Sequence, residues 1–461
     1  MKIINDITFK QNCLILTNNS GGGHIEVAKQ VQQEVDQKNK GQSEKIHTVT
    51  HEILTGTFGS FIGKKIANAW NNNQKKENIK LINRSLKFHR LGNAGAAIPV
   101  FFTTLRVLWK NDIDTVINVQ PMATSSIVKA VRVMNFVNHR FLKKNHVINV
   151  SILLTELPTE RTTDFFKSIK ELSKNDRKIV KLITTQPLLV NGQNEQNFWK
   201  KNTGLSLENI TYDDFPIRKA FNALDVENIQ DIDHLQVKFK GNDQKKFIDE
   251  CTDSKLKTAK NEGLLQLDIQ KNDKVFALML GSQASFDATL SYVKNTIEWA
   301  QESLDEDADP HYLFVFCGRH EEGQKQSLLK AISETVIEAK KNENYPPNLS
   351  IIPLAFQDDD QIAPILSRAN VTITRSGGLT AMELLKVATG KVFIHVVDKQ
   401  SQAQINEEGK IINEEQILKK GMLFWEGGNY LYLKEEKNAQ LITPSSSKKS
   451  LANIFKQSQE A

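Results

Sequence analysis

The chain has 461 residues and a mass of 52.2 kDa. Single hydrophobic cores stop growing near roughly 250 to 300 residues, so we expect two domains. With 39% hydrophobic and 25% charged residues, the chain is too apolar to be disordered and too polar to be a membrane protein. Three widely spaced cysteines provide neither a disulfide framework nor a CxxC metal site, which favours a reducing, cytoplasmic location.

The net charge of +6 is distributed unevenly. Residues 1–150 hold 21 Lys+Arg and 9 Asp+Glu, or +12, and the remaining residues hold 39 and 45, or −6. Such an asymmetry indicates an anionic partner, which can be membrane lipid, nucleic acid or a phosphorylated substrate. We expect no signal peptide and no transmembrane span, because no apolar segment approaches the ~20 residues that a span requires.

Short apolar runs alternate with helix-length segments in the first half of the chain. Four of these runs are typical of buried strands: Cys13–Thr17, Thr115–Val119, Val147–Leu154 and Ile179–Thr184. Strands that alternate with helices predict an α/β domain with a mostly parallel, doubly wound sheet.

A charged stretch at residues 222–262 interrupts this alternation, and we interpret it as an insertion or a linker. A second series of strand candidates follows, at Val275–Leu280, Tyr312–Cys317, Leu349–Pro353, Val371–Thr374 and Val392–Val397. The pattern predicts an N-terminal domain at 1–262, a second α/β domain at 263–435 and a mobile polar tail at 436–461.

The first candidate site is the glycine-rich loop Ser20-Gly21-Gly22-Gly23-His24, between the first strand and a helix. Glycines allow a ligand to approach the backbone closely, and free N–H groups at a helix start attract anionic oxygens. The same helix start disfavours imidazolium, so His24 should be neutral near pH 7 and able to accept a proton. A tight turn with a capping histidine would give the same pattern.

A second candidate site lies in the C-terminal half. The segment from Thr374 to Thr380 (TRSGGLT) joins an apolar strand to a helix that carries Glu383, and Gly281-Ser282-Gln283 ends the first strand of the second series. Ligands of open α/β sheets bind at the carboxyl ends of the strands, so two glycine-containing loops at one edge suggest a diphosphate site. Ordinary strand-to-helix turns and a surface glutamate are the alternatives.

These motifs together suggest a family. The order SGGGH, GSQ and AFQDDD…LSRANVTITRSGGLTAME resembles GT-B glycosyltransferases of the MurG type and the monogalactosyldiacylglycerol synthase type (glycosyltransferase family 28-like). The segment from Asp213 to Arg218 (DDFPIR) is also similar to a Gly-hydrophobic-Pro-Val/Ile-Arg segment of the galactolipid enzymes, with Asp214 in place of the glycine. The resemblance implies a GT-B fold, in which two Rossmann-like doubly wound domains face each other across a cleft.

The resemblance further implies a nucleotide-sugar donor, in the first instance a UDP-sugar, bound by the C-terminal domain without a metal ion or another cofactor. We interpret the acidic residues 358–360 as a helix start, where the dipole favours them. The implied donor residues are Gly281, Ser282, Arg375, Ser376, Gly377 and Gly378 at the diphosphate, Phe356 and Gln357 at the base, Glu383 at the ribose, and Gln402 and Gln404 at the sugar.

Catalysis of an inverting transfer requires a base that deprotonates the acceptor. We expect His24 to be this base, and Gly21, Gly22 and Gly23 to contact the acceptor. Glu156 follows a buried run at the end of a predicted strand, so it should face the cleft and either orient His24 or replace it as the base. A solvated loop carboxylate would explain the same position.

Basic and aromatic residues interleave between residues 58 and 110, which predicts peripheral contact with an anionic membrane; core aromatics beneath a solvated charged face are the alternative. No nucleic-acid-binding signature is present. We therefore expect an inverting, metal-independent glycosyltransferase that acts on a lipid or protein acceptor. The alternatives are a secreted bacterial effector that glycosylates a host protein, a decayed GT-B binding protein, and a sugar-nucleotide epimerase, which would need additional acids in the cleft.

Overall fold

The computed structural model describes most of the chain. The described residues are 7, 11–18, 22–120, 123–144, 146–190, 192–213, 217–224, 234–252, 257–261, 263–305, 307–342 and 345–460, of which 85–94, 257–261, 399–400 and 457–460 are described by their backbone alone.

The first half of the chain forms a sheet of six parallel strands in the order β2-β1-β3-β4-β5-β6. These strands are β1 (Asn12–Thr17), β2 (His47–Glu52), β3 (Thr115–Asn118), β4 (Asn149–Leu153), β5 (Val180–Thr184) and β6 (Ile210–Tyr212). The accompanying helices are α1 (Gly23–Lys38), α2 (Ile53–Lys75), α3 (Ile79–Lys110), α4 (Thr124–Arg140), α5 (Lys167–Lys170), α6 (Lys174–Arg177), α7 (Glu195–Asn202) and α8 (Lys219–Ala223). Apolar clusters cover both faces of this sheet, as the continuous apolar runs of its central strands require.

The second half forms another sheet of six parallel strands, in the order β12-β11-β10-β13-β14-β15. These strands are β10 (Lys274–Met279), β11 (His311–Phe316), β12 (Leu349–Leu354), β13 (Val371–Thr374), β14 (Lys391–His395) and β15 (Gln440–Ile442). Its helices are α10 (Phe286–Ser303), α11 (Leu328–Lys340), α12 (Asp359–Arg368), α13 (Gly378–Val387), α14 (Asp398–Ser401), α15 (Glu414–Lys420), α16 (Phe424–Lys437) and α17 (Pro444–Glu460). The nine strands predicted from the sequence are present within two residues at either end, and the prediction of two doubly wound α/β domains is confirmed.

The charged stretch before this sheet is not a linker. It forms β7 (His234–Lys238), α9 (Gly241–Cys251), β8 (Lys257–Asn261) and β9 (Leu264–Asp268), whose strands make a small antiparallel sheet in the order β7-β9-β8. Alternate residues Leu235 and Val237 pack with Val275 of β10 in one core cluster. The predicted boundary at residue 262 therefore falls inside a unit that belongs to the second domain, because the alternation of β7 was hidden among charged residues.

The predicted polar tail is also a folded element. Residues 440–442 form the last strand of the second sheet, and α17 packs against α10. Phe455 lies 5.1 Å from Trp299, measured between ring centroids. The tail prediction was wrong because Leu451, Ile454 and Phe455 lie at helical spacing on one face of a sequence that is otherwise rich in Ser and Lys.

The two domains contact each other directly. Trp70 of α2 stacks on Trp425 of α16 with ring centroids 6.1 Å apart, and Phe165 lies 5.6 Å from Phe424. Ile79 and other apolar side chains complete this interdomain cluster. No helix in the described part of the chain is long and apolar enough to cross a membrane.

Candidate active site

Both sheets have a point where the strand order reverses, and the candidate loops lie there. In the first sheet the reversal is between β1 and β3, and in the second it is between β10 and β13. Loops that leave two neighbouring strands in opposite directions open a crevice at the carboxyl edge, where α/β proteins bind ligands. The glycine loops at residues 22–24, 281–282 and 375–378 all follow strands at these positions.

His24 is the second residue of α1 and is held by the first sheet. Its Nδ1 lies 3.0 Å from the carbonyl oxygen of Val119 and 3.1 Å from the Thr155 hydroxyl. Since a carbonyl only accepts hydrogen bonds, Nδ1 carries the proton and Nε2 keeps its lone pair. Burial lowers the pKa of His24 to about 4, which outweighs the opposite effect of the Val119 carbonyl. This lowered pKa agrees with the expected neutral imidazole and makes burial, rather than the helix start, its main cause.

The N-terminal glycine loop faces the two glycine-containing loops of the second domain. A Cβ built on Gly22 would lie 3.1 Å from Oγ of Ser282, and one on Gly23 would lie 3.9 Å from Cβ of Leu379. Gly281 has a φ of +81°, and a Cβ built there or on Gly377 would have no neighbour within 4 Å among the described residues. Gly21 lies outside the described residues. The structure thus brings three of the sequence motifs together, with space beside two of their glycines.

The segment after β13 is fixed by α16. Arg375 pairs with Glu426, with 2.8 Å between Nη2 and Oε1, and both side chains are largely buried. The Ser376 hydroxyl donates to the backbone carbonyl of Glu426 over 2.7 Å. Gly377 is the N-cap of α13, so the N–H groups of its first turn have no partner within the helix, and Thr155 and Glu156 of the first domain pack against Gly378 there.

Glu156 does not contact His24 in the way the sequence suggested. Its neighbour Thr155 makes that contact, whereas Oε2 of Glu156 accepts a hydrogen bond of 2.5 Å from Nδ2 of Asn429 and lies 2.7 Å from a Cβ built on Gly378. Burial raises the pKa of Glu156 to about 8, and the nearby charge of Glu426 adds to the rise. Because the side chain points across the domain boundary to α13 and α16, the structure does not support the orienting role, and the role as the base stays a prediction.

Glu383 is buried and forms a bidentate ion pair with Arg218. The two bonds are 2.6 Å, from Nε to Oε1, and 2.8 Å, from Nη2 to Oε2. Burial raises the pKa of Glu383 against the effect of the guanidinium. A ribose can reach this carboxylate only if the pair rearranges, so the ribose role stays a prediction. Residues 214–216 of the DDFPIR segment lie outside the described residues.

No known family profile matches the chain, and no curated protein matches its sequence. Solved structures with a similar fold include MurG from Acinetobacter baumannii, with 12% identity, a TM-score of 0.43 and coverage of 98% of this chain and 91% of that one. They also include the spinosyn rhamnosyltransferase SpnG complexed with thymidine diphosphate, with 9% identity, a TM-score of 0.42 and coverage of 97% and 92%. UDP-GlcNAc 2-epimerase from Neisseria meningitidis gives 9% identity, a TM-score of 0.40 and coverage of 98% and 100%. At such identities the likeness concerns the fold alone.

Two residues predicted at the nucleotide base differ in their surroundings. Phe356 is 59% exposed in the loop after β12, where an aromatic ring is available for stacking. Gln357 is buried, and its amide pairs with the backbone of Lys238 through bonds of 2.7 and 2.8 Å. Gln357 therefore anchors β7 to the second sheet, and the assignment of its amide to the base is not supported.

The two glutamines predicted at the sugar lie in the exposed loop after α14. The side chain of Gln402 accepts from Gln416 over 3.2 Å, and the backbone N–H of Gln404 donates to Asn413 over 2.9 Å. These contacts tie the loop to the start of α15, so the sugar role of both residues stays a prediction.

The acidic residues 358–360 cap and begin α12, as predicted. Within the described ranges, no three His, Cys, Asp or Glu side chains are grouped so as to hold a metal ion.

Sequence reasoning missed the residues of α16 that join the domains. Asn429 is fully buried, and it bonds to Glu156, to the carbonyl of Ser376 and to the N–H of Leu157. The run Glu426-Gly427-Gly428-Asn429 was the available signal, since paired glycines inside a helix indicate close packing. A Cβ on Gly428 would lie 2.6 Å from the Thr159 hydroxyl.

A second missed contact joins the loop after α2 to the end of β14. Glu77 Oε1 lies 2.7 Å from Nε2 of His395, and Nδ1 of that ring lies 2.9 Å from the Tyr292 hydroxyl. Burial acts to raise the pKa of Glu77, but its bonds to His395 and Ser285 and the charge of Arg375 together hold it below the ordinary value. Glu77 is thus an anion of the first domain placed at the start of α10.

Proposed function

We propose that the chain is an inverting, metal-independent glycosyltransferase that uses a nucleotide diphosphate sugar, in the first instance a UDP-sugar. The proposal rests on one observation. The carboxyl edges of the two sheets meet at the switch points, where the strand order of each sheet reverses. One edge supplies His24, whose Nδ1 is held by the Val119 carbonyl so that Nε2 carries the lone pair, and the other supplies the loops at Gly281 and Gly377 together with Arg375.

The roles follow from this arrangement. The loop N–H groups and the start of α13 bind the diphosphate, and Arg375 offsets the charge that develops on the leaving nucleoside diphosphate. Phe356 stacks on the base. Nε2 of His24 takes the proton of the acceptor hydroxyl, and Thr155 and the Val119 carbonyl hold the imidazole in the required tautomer.

The experiment is a binding and hydrolysis panel of UDP-, GDP- and dTDP-sugars on the full chain. The proposal predicts that one nucleotide class binds and that its sugar is released slowly to water. If none of the three classes binds, the chain is a GT-B-like binding or scaffold protein without donor chemistry.

A sugar-nucleotide epimerase is the second candidate, and one observation favours it. Glu156, which is partly buried, and Glu426, which is buried, lie at the domain boundary, where an epimerase would require acid and base groups. Analysis of products from UDP-N-acetylglucosamine alone separates the two functions. A new sugar nucleotide would support the epimerase, and free sugar would support the transferase.

The acceptor is a lipid or a protein, and the surface of the first domain favours a lipid at an anionic membrane. Residues 58–110 hold 10 Lys+Arg and 1 Asp+Glu. These residues lie mainly in helices α2 and α3, which also carry exposed apolar side chains, including Phe61 at 70%, Phe102 at 61% and Trp109 at 59% exposure. Such interleaved aromatic and basic residues are suited to an anionic lipid surface.

A secreted effector that glycosylates a host protein remains the alternative for the acceptor. Its proposed export signal, the C-terminal segment, forms α17 and packs on α10. Export that requires this helix would favour the effector, and vesicle binding through α2 and α3 would favour the lipid.

A further inference from the structure

The carboxyl group of Glu156 belongs to the first domain but lies at the start of α13 in the second. Its Oε2 accepts a hydrogen bond from Nδ2 of Asn429 and lies beside the backbone of Gly378, 2.7 Å from a Cβ built on that residue. The N–H groups at a helix start attract negatively charged oxygens. The carboxyl group of Glu156 therefore lies in the place that the proposed function assigns to the diphosphate.

Asn429 fixes this arrangement. Besides its bond to Glu156, its Nδ2 donates to the carbonyl of Ser376 over 2.8 Å, and its Oδ1 accepts from the N–H of Leu157 over 2.9 Å. One fully buried amide thus holds the loop of Glu156 and the loop of Ser376 in a single position.

The space at the start of α13 is filled by the same loop. A Cβ built on Gly378 would collide with the carbonyl oxygen of Thr155 and would lie 2.7 Å from Oε2 of Glu156. A diphosphate cannot lie between Gly378 and Thr155 while this contact persists.

A second carboxyl group of the first domain, that of Glu77, also contacts the second domain. Glu77 of the first domain bonds to Nε2 of His395, at the end of β14, over 2.7 Å. Two carboxyl groups of the first domain, Glu77 and Glu156, thus make contacts with the second domain at its carboxyl edge.

We propose that Glu156 is an internal occupant of the anion site at the start of α13, with Asn429 as its positioning residue, and that a nucleoside diphosphate binds by displacing it. The inference rests on the proposed function, since that function places a diphosphate at Gly377 and Gly378. Donor binding then requires the loop at residues 155–156 to separate from α13, and the lost contacts reduce the net affinity.

The test is a calorimetric titration of the full chain with UDP, GDP or dTDP, whichever the panel selects. Glu156→Ala vacates the site and should bind the nucleotide about tenfold more tightly, as expected when a competing hydrogen-bonded group is removed. Glu156→Gln keeps an oxygen that accepts the same bonds, so its affinity should stay near that of the wild type. Glu160→Ala, which removes a carboxylate from the same loop, is the matched control and should not differ. Thermal unfolding confirms that each variant is folded.

A double-mutant cycle tests Asn429. Asn429→Ala should raise the nucleotide affinity in the wild-type background and have no further effect in the Glu156→Ala background. A merely structural role would change the affinity equally in both backgrounds and would remove Asn429 from the proposal.

The failure of the inference differs from the failure of the proposed function. If the wild type binds a nucleoside diphosphate and Glu156→Ala binds it equally well or more weakly, Glu156 is not an internal occupant and the function stands. If neither protein binds UDP, GDP or dTDP, the function fails and the inference fails with it.

Discussion

Burial sets the protonation of His24 and Glu156, which lie on either side of Thr155. It lowers the pKa of the imidazole and raises that of the carboxyl, so both groups are mainly neutral near pH 7.

The sequence placed both residues at strand ends that face the second domain. It could not show that Glu156 points to Asn429 rather than to His24, because that direction depends on a helix 270 or so residues further along the chain.

We expect His24→Ala to lower the rate of donor hydrolysis by about 10² to 10⁴-fold, the usual contribution of a general base, with little change in donor affinity. Because the pKa of His24 is about 4, the wild-type kcat/KM should fall only as the pH approaches 4. Rates measured between pH 4 and pH 8 test both points. His47→Ala, at an exposed histidine of β2, is the control. An acid limb near the ordinary histidine value, or unchanged turnover in His24→Ala, would contradict the role.

Glu156 should make stability depend on pH with an unusual sign. Its pKa is about 8 in the folded chain against an ordinary value of 4.5, so between these values the folded state keeps a proton that the unfolded state has lost. Its contribution to stability is complete below pH 4.5 and is lost as the pH rises to 8, by at most about 1.4 kcal/mol per unit.

Glu156→Gln cannot ionise, so urea unfolding from pH 5 to pH 8 should show a smaller loss of stability than in the wild type. Glu160→Gln should keep the wild-type slope. Parallel slopes for the wild type and Glu156→Gln would show that the carboxyl of Glu156 does not hold its proton in the folded chain.

At the scale of elements, the continuous apolar strands were predictable and the polar or short ones were not. β10 and β13 are buried on both faces and read as apolar runs, whereas the edge strand β2 (HTVTHE) is half-exposed and alternates too weakly to be recognised. β15 has three residues, and it is a strand because β14 lies beside it. Tertiary pairing of this kind leaves no local signal.

The ion pair of Arg218 and Glu383 joins the segment before α8 to α13. Removing one partner of a buried pair leaves an uncompensated charge, so Glu383→Ala should reduce the free energy of unfolding by about 3 to 5 kcal/mol. The double variant Arg218→Met/Glu383→Leu should recover most of that loss, as measured by urea unfolding. Equal destabilisation in the single and double variants would show that the pair contributes through packing alone.

The α2 and α3 helices should bind anionic vesicles. Each lysine near an anionic surface contributes about 1 kcal/mol, so Lys64→Ala/Lys65→Ala should weaken binding to phosphatidylglycerol vesicles by about 2 kcal/mol. Flotation with and without phosphatidylglycerol measures this. Lys245→Ala/Lys246→Ala, an exposed lysine pair on α9, is the matched control. Equal losses in the two variants would mean that net charge, rather than this surface, determines binding.

In the whole molecule, the uneven charge follows the division into two domains, because the basic residues are concentrated in the first domain. The first domain carries the basic, aromatic surface and His24, and the second carries the glycine loops of the proposed donor site. The start of the second domain at β7 was concealed because the two buried apolar residues of this short strand lie among polar and charged ones, as they would in a linker. The closeness of the domains was likewise unpredictable, since it depends on Trp70 meeting Trp425 and on Gly378 meeting Thr155.

A nucleotide sugar that binds where the carboxyl edges of the two sheets meet should protect the loops at that edge. Hydrogen exchange of the full chain with and without a saturating nucleotide sugar measures this protection. We expect slower exchange in the peptides that contain residues 281–285 and 375–380, and little change in α11 or α17. Binding that leaves both peptides unchanged, or that protects only residues elsewhere, would contradict this expectation.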